Sequence, residues 1–209
     1  MITLHHLDYS RGHRVLWLFE ELGLPYALVR YPRDPAFRAP PELKAVHRLG
    51  KSPVIVDGDL VLAESAVILA YVDQRYGGGR LAPPAGSDAW FHHEEWLHFA
   101  ESTAALPIMI LRLAAIAGGP TERLEAFVRP TLGRILDQVE AAVRDQPFLT
   151  GPTLTLADIQ TVYPLAIARA AGQLDGHPAI LAYLDRMAAR PAFARAIAAG
   201  GPMLPPPRT

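Results

Sequence analysis

The stretch Lys51-Ser52-Pro53-Val54-Ile55-Val56-Asp57-Gly58-Asp59-Leu60-Val61-Leu62-Ala63-Glu64-Ser65 decides how the first part of the chain folds. Two apolar runs flank Asp57-Gly58, a strong short-range hairpin signal. A proline just ahead of the first run fits the start or the edge of a strand, because it lacks the backbone donor a central strand needs. Beyond the second run, Glu64-Ser65 opens a segment with Val67, Ile68, Tyr71 and Val72 on one side, and Tyr76-Gly77-Gly78-Gly79 ends it. The order is strand, strand, helix.

Upstream, residues 2 to 7 form a short apolar run consistent with a buried strand, and Asp8-Tyr9-Ser10 follows as a turn. Val15, Leu16, Leu18, Phe19 and Leu22 recur at helical spacing up to Gly23, with Ser10 or a close neighbour at the helix start. Tyr26 to Tyr31 alternates as a second strand. Strand, helix, strand predicts a parallel pair with a crossover helix. Residues 32 to 50 are Pro-rich and irregular, with a short helix expected around Glu42 to Val46.

Downstream, residues 81 to 88 (Leu-Ala-Pro-Pro-Ala-Gly-Ser-Asp) are a linker, and everything from 89 to 209 has helical patterning. One long helix is expected over Ala89 to Ala117, bent at Pro107. A second runs from Thr121 to Arg144, with Phe127, Leu132, Ile135, Leu136 and Val139 facing inward. Residues 156 to 171, 178 to 189 and 191 to 199 give three more, and Pro202 to Thr209 form a disordered or surface-hugging tail. Thr155 and Asp158 have the spacing of a capping box, with Leu154 and Ile159 as its hydrophobic staple. The expected architecture is an α+β domain over residues 1 to 80, the linker, and an all-α bundle.

Composition excludes several functions. With 20 basic and 21 acidic side chains the net charge is -1, which disfavours nucleic acid as a partner. No uninterrupted apolar run reaches the roughly 18 residues of a membrane span, so no transmembrane helix is expected. The beginning of the chain lacks the charged-then-apolar pattern of a secretory signal, so the expected location is cytoplasmic. Cysteine is absent, which removes disulfides, thiolate metal sites and a protein thiol nucleophile. Any thiol chemistry here uses a thiol that arrives with a ligand. His92, His93 and His98 lie near Glu94, Glu95 and Glu101 without an HExxH pattern, and are expected to be solvated or subunit-facing rather than metal ligands.

Three short motifs can carry chemistry. A cis Ser52-Pro53 bond would make a tight turn and face the Ser52 backbone N–H and C=O outward, toward an extended peptide ligand. Its plain alternative is a proline opening an ordinary hairpin. Glu64-Ser65 at a helix start offers backbone and hydroxyl donors to a carboxylate and a negative charge to an ammonium, the two halves of an amino-acid head group; alone it is equally a helix cap. Lys51 can meet a second carboxylate or simply be solvated. At Tyr9-Ser10-Arg11, a hydroxyl at a helix start can favour ionisation of a ligand thiol, whose ordinary pKa is about 8.5; Ser10 can also be only a cap.

Taken together these motifs resemble soluble glutathione transferases. The resemblance runs through Tyr9-Ser10-Arg11-Gly12-His13-Arg14-Val15-Leu16-Trp17, Glu20-Glu21-Leu22-Gly23-Leu24-Pro25-Tyr26, Gly50-Lys51-Ser52-Pro53-Val54 and Ala63-Glu64-Ser65-Ala66-Val67-Ile68, and into the second part through Thr155 to Asp158. It covers essentially the whole chain and is closest in flavour to bacterial and fungal members. It implies a thioredoxin-like first domain followed by a helical one. It implies glutathione as co-substrate, no metal, a small hydrophobic electrophile as second partner, a homodimer and a role in detoxification. By resemblance, Pro53 is the cis proline, Ser52 pairs with the cysteinyl part of glutathione, and Glu64 and Ser65 hold the γ-glutamyl head group. Lys51 and His47 face the glycyl carboxylate. Ser10 stabilises the thiolate with Arg11 beside it, and Tyr9 is its rival, because other members use a tyrosine near this place. The electrophile is expected between the two parts, with Met109, Ile110 and Leu113 as candidate wall residues. Peroxidase, isomerase or dehalogenase chemistry on the same scaffold, or binding without catalysis, are the alternatives.

Overall fold

Apolar alternation at the start of the chain builds β1 (Ile2–Leu7), with Ile2, Leu4, His6 and Leu7 buried. The computed structural model describes residues 1–206; the last three residues of the expected tail lie outside them. α1 (Gly12–Leu22) stops where the periodicity predicts, at Gly23, whose φ of 65° is the left-handed value that suits glycine at a helix end. β2 (Tyr26–Tyr31) returns parallel to β1, with Ile2 opposite Tyr26. After the Pro-rich connection and its short α2 (Glu42–Val46), β3 (Val54–Asp57) and β4 (Leu60–Ala63) form the hairpin, with Gly58 at φ 60° in its turn. α3 (Ser65–Val72) continues into a π turn at Asp73–Gly77. The sheet order is β2-β1-β3-β4, with β3 antiparallel to both its neighbours. This is the mixed four-stranded, thioredoxin-like sheet that was expected.

The helical part differs from expectation in several places. The long helix expected here runs continuously over Asp88–Ile116, but its irregularity lies upstream of Pro107: α4 (Asp88–Phe99) passes through a π turn at Ala100–Ala104 into α5 (Ala105–Ile116). Pro107 has no N–H, and its ring conflicts with the carbonyl four residues back; the wider turn just upstream relieves both. The 29-residue stretch Asp88–Ile116 contains one 18-residue window with a mean hydropathy of 1.5, enough by length and composition for a membrane span. Its buried residues Leu97, Ala100, Ala104, Ile108 and Leu111 form a one-sided stripe, the pattern of a core helix. In α6 (Glu122–Arg144) the inward positions are Val128, Leu132, Ile135, Leu136, Val139 and Val143. Phe127 is not among them: it is 81% exposed, because one residue along a helix turns about 100°. His93 is also buried rather than solvated, with Nδ1 3.2 Å from Glu94 Oε1.

α7 (Leu156–Ala170) begins with the expected capping box. Asp158 does more than cap: it accepts from the Thr155 N–H (2.8 Å), the Leu149 N–H (2.9 Å) and the buried Tyr183 hydroxyl (3.0 Å). Glu140 of α6 similarly accepts the Ala179 and Ile180 N–H groups at the start of α8 (Pro178–Ala188).

The chain forms two compact units, Leu81–Met187 and Met1–Arg80 joined by the chain from Ala188 onward. The final helix, α9 (Pro191–Gly200), therefore belongs with the sheet, on α1. Its small residues Ala192, Ala196 and Gly200 allow a close approach, and a Cβ at Gly200 would overlap Leu16. Phe193 meets Trp17 edge-on (5.1 Å) and tilts over His13 (5.0 Å). Arg190 grips Glu21 with two bonds of 2.6 and 2.9 Å. The last turn of α9 is tied to β1, where the His6 Nε2 donates to the Gly200 carbonyl at 3.2 Å.

His6 and His13 are both buried here. Burial pushes the His6 imidazole below its ordinary 6.5, although its bond to Gly200 opposes the shift. Burial, reinforced by His6, takes His13 to about 3. Above pH 6.5 the two rings are neutral in folded and unfolded chain alike. Below it the unfolded chain takes up protons that the folded one refuses, so the His13 contribution falls as pH drops from 6.5 toward 3, by up to about 1.4 kcal/mol per pH unit, and His6 acts in the same direction. Urea unfolding of His13→Gln at pH 7, 5.5 and 4.5 should show a shallower pH slope than the parent, by up to one proton.

Candidate functional site

Strand register brings the motifs of the first unit together. His5 pairs with Val54 across β1 and β3, so Ser52 falls opposite Leu7. The Ser52-Pro53 bond is cis. The Ser52 hydroxyl accepts the Leu7 N–H at 3.0 Å and donates to the His5 carbonyl at 3.1 Å. It also accepts from the Ser10 hydroxyl at 3.3 Å, long for an O–H···O bond. Ser10 is buried, and its Oγ accepts the Gly12 N–H at 3.1 Å, opening α1. Gly12 has to be glycine: a Cβ there would overlap His6 Nδ1 and lie 2.8 Å from Ser52 Oγ.

On the other side of the hairpin, Val54 pairs with Ala63, which sets Pro53 beside Glu64. Two sequence motifs thus become one edge. Glu64 is exposed and stands at φ 68°, ψ 112°, a region non-glycine residues rarely occupy. Such a kink turns the chain sharply from β4 into α3, with Ser65 buried as the first helical residue. Tyr9, just before Ser10, likewise has a positive φ, 54°.

The remaining expected residues surround this edge. Tyr9 stacks on Phe37 of the Pro-rich connection (5.9 Å), and its carbonyl accepts from Arg33 at 3.2 Å. Arg11 is the residue preceding α1, half-buried. A turn closed by the Gly50 N–H on the His47 carbonyl (2.8 Å) carries half-buried His47 and exposed Lys51 into Ser52.

Helix starts differ in how their donors are met. α4, α6 and α8 have Ser87, Thr121 and Glu140 side chains accepting N-terminal N–H groups. α3 has no side-chain cap bond and no acid in its first turn. The dipole at such a helix start favours an anion. One residue of this region was missed in the sequence: Arg14, 1% exposed, whose Nη1 donates to Ser65 Oγ at 3.1 Å. Its signal was available, as a charge inside the apolar run of α1.

A cis-proline turn and a strand-to-helix kink lie side by side at one end of a thioredoxin-like sheet, here followed in the chain by a helical unit. Comparisons with known proteins agree. Residues 1–74 match the family model for the glutathione S-transferase N-terminal domain, and residues 122–186 the model for the C-terminal domain. Glutathione S-transferase 1 of Saccharomyces cerevisiae is 30% identical over 217 residues, 93% of each chain. Glutathione S-transferase 3 of Zea mays is 31% identical, covering 93% of this chain and 91% of that one. A crystal structure of a glutathione S-transferase from Actinobacillus pleuropneumoniae superposes with a TM-score of 0.88 at 32% identity, over 97% of this chain and 95% of that one. A glutathione transferase family member from Pseudomonas fluorescens, solved with two glutathione molecules bound, superposes with a TM-score of 0.79 at 25% identity, over 94% and 92%. The chain belongs to the glutathione S-transferase family.

Two substitutions test the local physics. Ser52→Ala strands the Leu7 N–H and should lower the unfolding free energy by about 1–3 kcal/mol. Glu64→Gly should be about 1 kcal/mol more stable than Glu64→Ala, because glycine relieves the positive φ. Urea denaturation checks both.

Proposed function

We propose that this glutathione transferase binds glutathione along the Ser52–Pro53 and Glu64–Ser65 edge and transfers its sulfur to small hydrophobic electrophiles. The observation that carries the reading is the register that sets the cis-proline turn beside the uncapped start of α3. The outward backbone of Ser52 pairs with the cysteinyl part of the tripeptide. Ser65 and the α3 N–H groups take the γ-glutamyl carboxylate, and Glu64 takes its ammonium. Lys51 and His47 face the glycyl carboxylate.

A thiol of ordinary pKa is only about 3% ionised at pH 7, so holding it as thiolate is the first gain. Ser10 is the donor we assign to the sulfur, with Arg11 beside it. Its present bond to Ser52 is long and costs little to exchange. Tyr9 is the second candidate donor. The thiolate then attacks an electrophilic carbon. A C–S bond forms, and the displaced group leaves with its electron pair. Proximity of the two bound reactants supplies the other gain. The reaction uses no metal ion. The protein works in the cytoplasm as a homodimer, in detoxification.

Millimolar glutathione should raise the melting temperature, and no shift would overturn the binding assignment. Ser10→Ala should lower turnover by well over about tenfold with little loss of affinity; an unchanged rate moves the donor role to Tyr9. Glu64→Ala and Ser65→Ala should instead raise KM for glutathione. These are read from steady-state kinetics with an aryl halide electrophile.

A further inference from the structure

We propose that Arg33 is a positioning residue for the turn that carries Ser10: its guanidinium holds the backbone on both sides of Tyr9 and so keeps the Ser10 hydroxyl at the ligand sulfur. This rests on the assignment of Ser10 to the glutathione sulfur. Tyr9 immediately precedes Ser10, and its φ of 54° lies in the left-handed region that a bulky side chain rarely occupies. Left to itself such a residue relaxes to the right-handed or extended region, and the peptide joining it to Ser10 swings with it. Arg33 opposes that relaxation. Its Nε donates to the Asp8 carbonyl at 2.8 Å and its Nη2 to the Tyr9 carbonyl at 3.2 Å. With planar peptides, the φ and ψ of Tyr9 alone set the angle between those two carbonyls. In an extended chain successive carbonyls point to opposite sides, so one planar fork reaches both only while Tyr9 stays curled.

Arg33 is itself held in place. Its Nη1 donates to the Phe37 carbonyl at 2.8 Å, and the guanidinium lies over the Phe37 ring, 4.4 Å from the centroid. Phe37 belongs to a tight loop closed by Asp34. The Asp34 carbonyl accepts the Phe37 N–H (2.8 Å), its Oδ1 accepts the Arg38 N–H (2.7 Å), and its own N–H donates to the Arg38 carbonyl (3.0 Å). The Phe37 ring also stacks on Tyr9. The Pro-rich connection after β2 thus reaches back to the turn after β1. A lysine would supply the charge without the planar fork.

Ionisation of bound glutathione provides the test, followed across pH by the ultraviolet absorbance of the thiolate, with Kd measured alongside by calorimetry. Losing an aligned hydroxyl donor disfavours the thiolate, so the thiol pKa moves up toward its ordinary value of about 8.5. Arg33→Gln should raise it by about one unit while Kd changes by less than about threefold. Turnover of the aryl halide should then fall about tenfold at pH below the thiol pKa and recover as pH rises above it. Arg33→Lys, which keeps the charge, should show most of the same shift. Added to Ser10→Ala, Arg33→Gln should raise the thiol pKa no further, because the two residues act as one unit. A parental thiol pKa in Arg33→Gln would overturn the proposal. So would a parental value in Arg33→Lys, which would reduce the effect to charge, or full additivity with Ser10→Ala, or a loss of turnover equal at every pH. If Arg33→Gln does not fold, Arg33→Lys decides by the same shift. If Ser10→Ala itself leaves the thiol pKa unchanged, the assignment of Ser10 to the sulfur falls, and the proposal with it.

Discussion

The Ser52 hydroxyl, at the entry to β3, bonds to β1 through the Leu7 N–H and the His5 carbonyl and to Ser10 just ahead of α1. Its position fixes how far the proline turn stands from the first helix. That spacing is so tight that the helix must begin with Gly12, and the same crowding involves His6, whose other nitrogen holds the end of α9. A single cluster of hydroxyl, glycine and imidazole thus sets the turn, the helix start and the seat of the last helix. The end of the sheet where Pro53 meets Glu64 inherits its shape from this cluster.

Helix starts are the second organising theme. In the helical unit their donors are satisfied from within, by Thr155 and Asp158 on α7 and by Glu140 on α8. Such caps make those starts inert and stabilising. In the first unit the α3 start is approached through Glu64, in a backbone conformation that costs energy, and the Glu64 side chain makes no cap bond to it. Backbone strain at the start of α3 thus stands where the helical unit has side-chain caps built of similar residues.

Much of this was legible in the sequence, and the gaps have physical causes. The hairpin at Gly58, the stop at Gly23 and the capping box at Thr155 depend on local chemistry, and local chemistry is written in order along the chain. The juxtaposition of Pro53 with Glu64 follows from strand register, which the two apolar runs and their short turn already imply. Positive φ at Tyr9 and Glu64 left no trace, since neither residue type advertises it. Phe127 was misplaced because one step of helical phase separates it from Val128. The partner of α9 was invisible for a different reason: a small-residue face tells that something comes close, but not what. Burial of Arg14 is not legible either, because a charge inside an apolar helical run reads equally well as a solvated position.

The seating of α9 also has a bearing on biosynthesis. The outer face of α1, with His13 and Trp17, leaves the ribosome early, whereas Phe193 and Gly200 are translated only after the whole Leu81–Met187 unit. At ordinary elongation rates that interval is roughly ten seconds. Throughout it the nascent sheet unit carries an uncovered aromatic and apolar surface, a natural landing place for a chaperone.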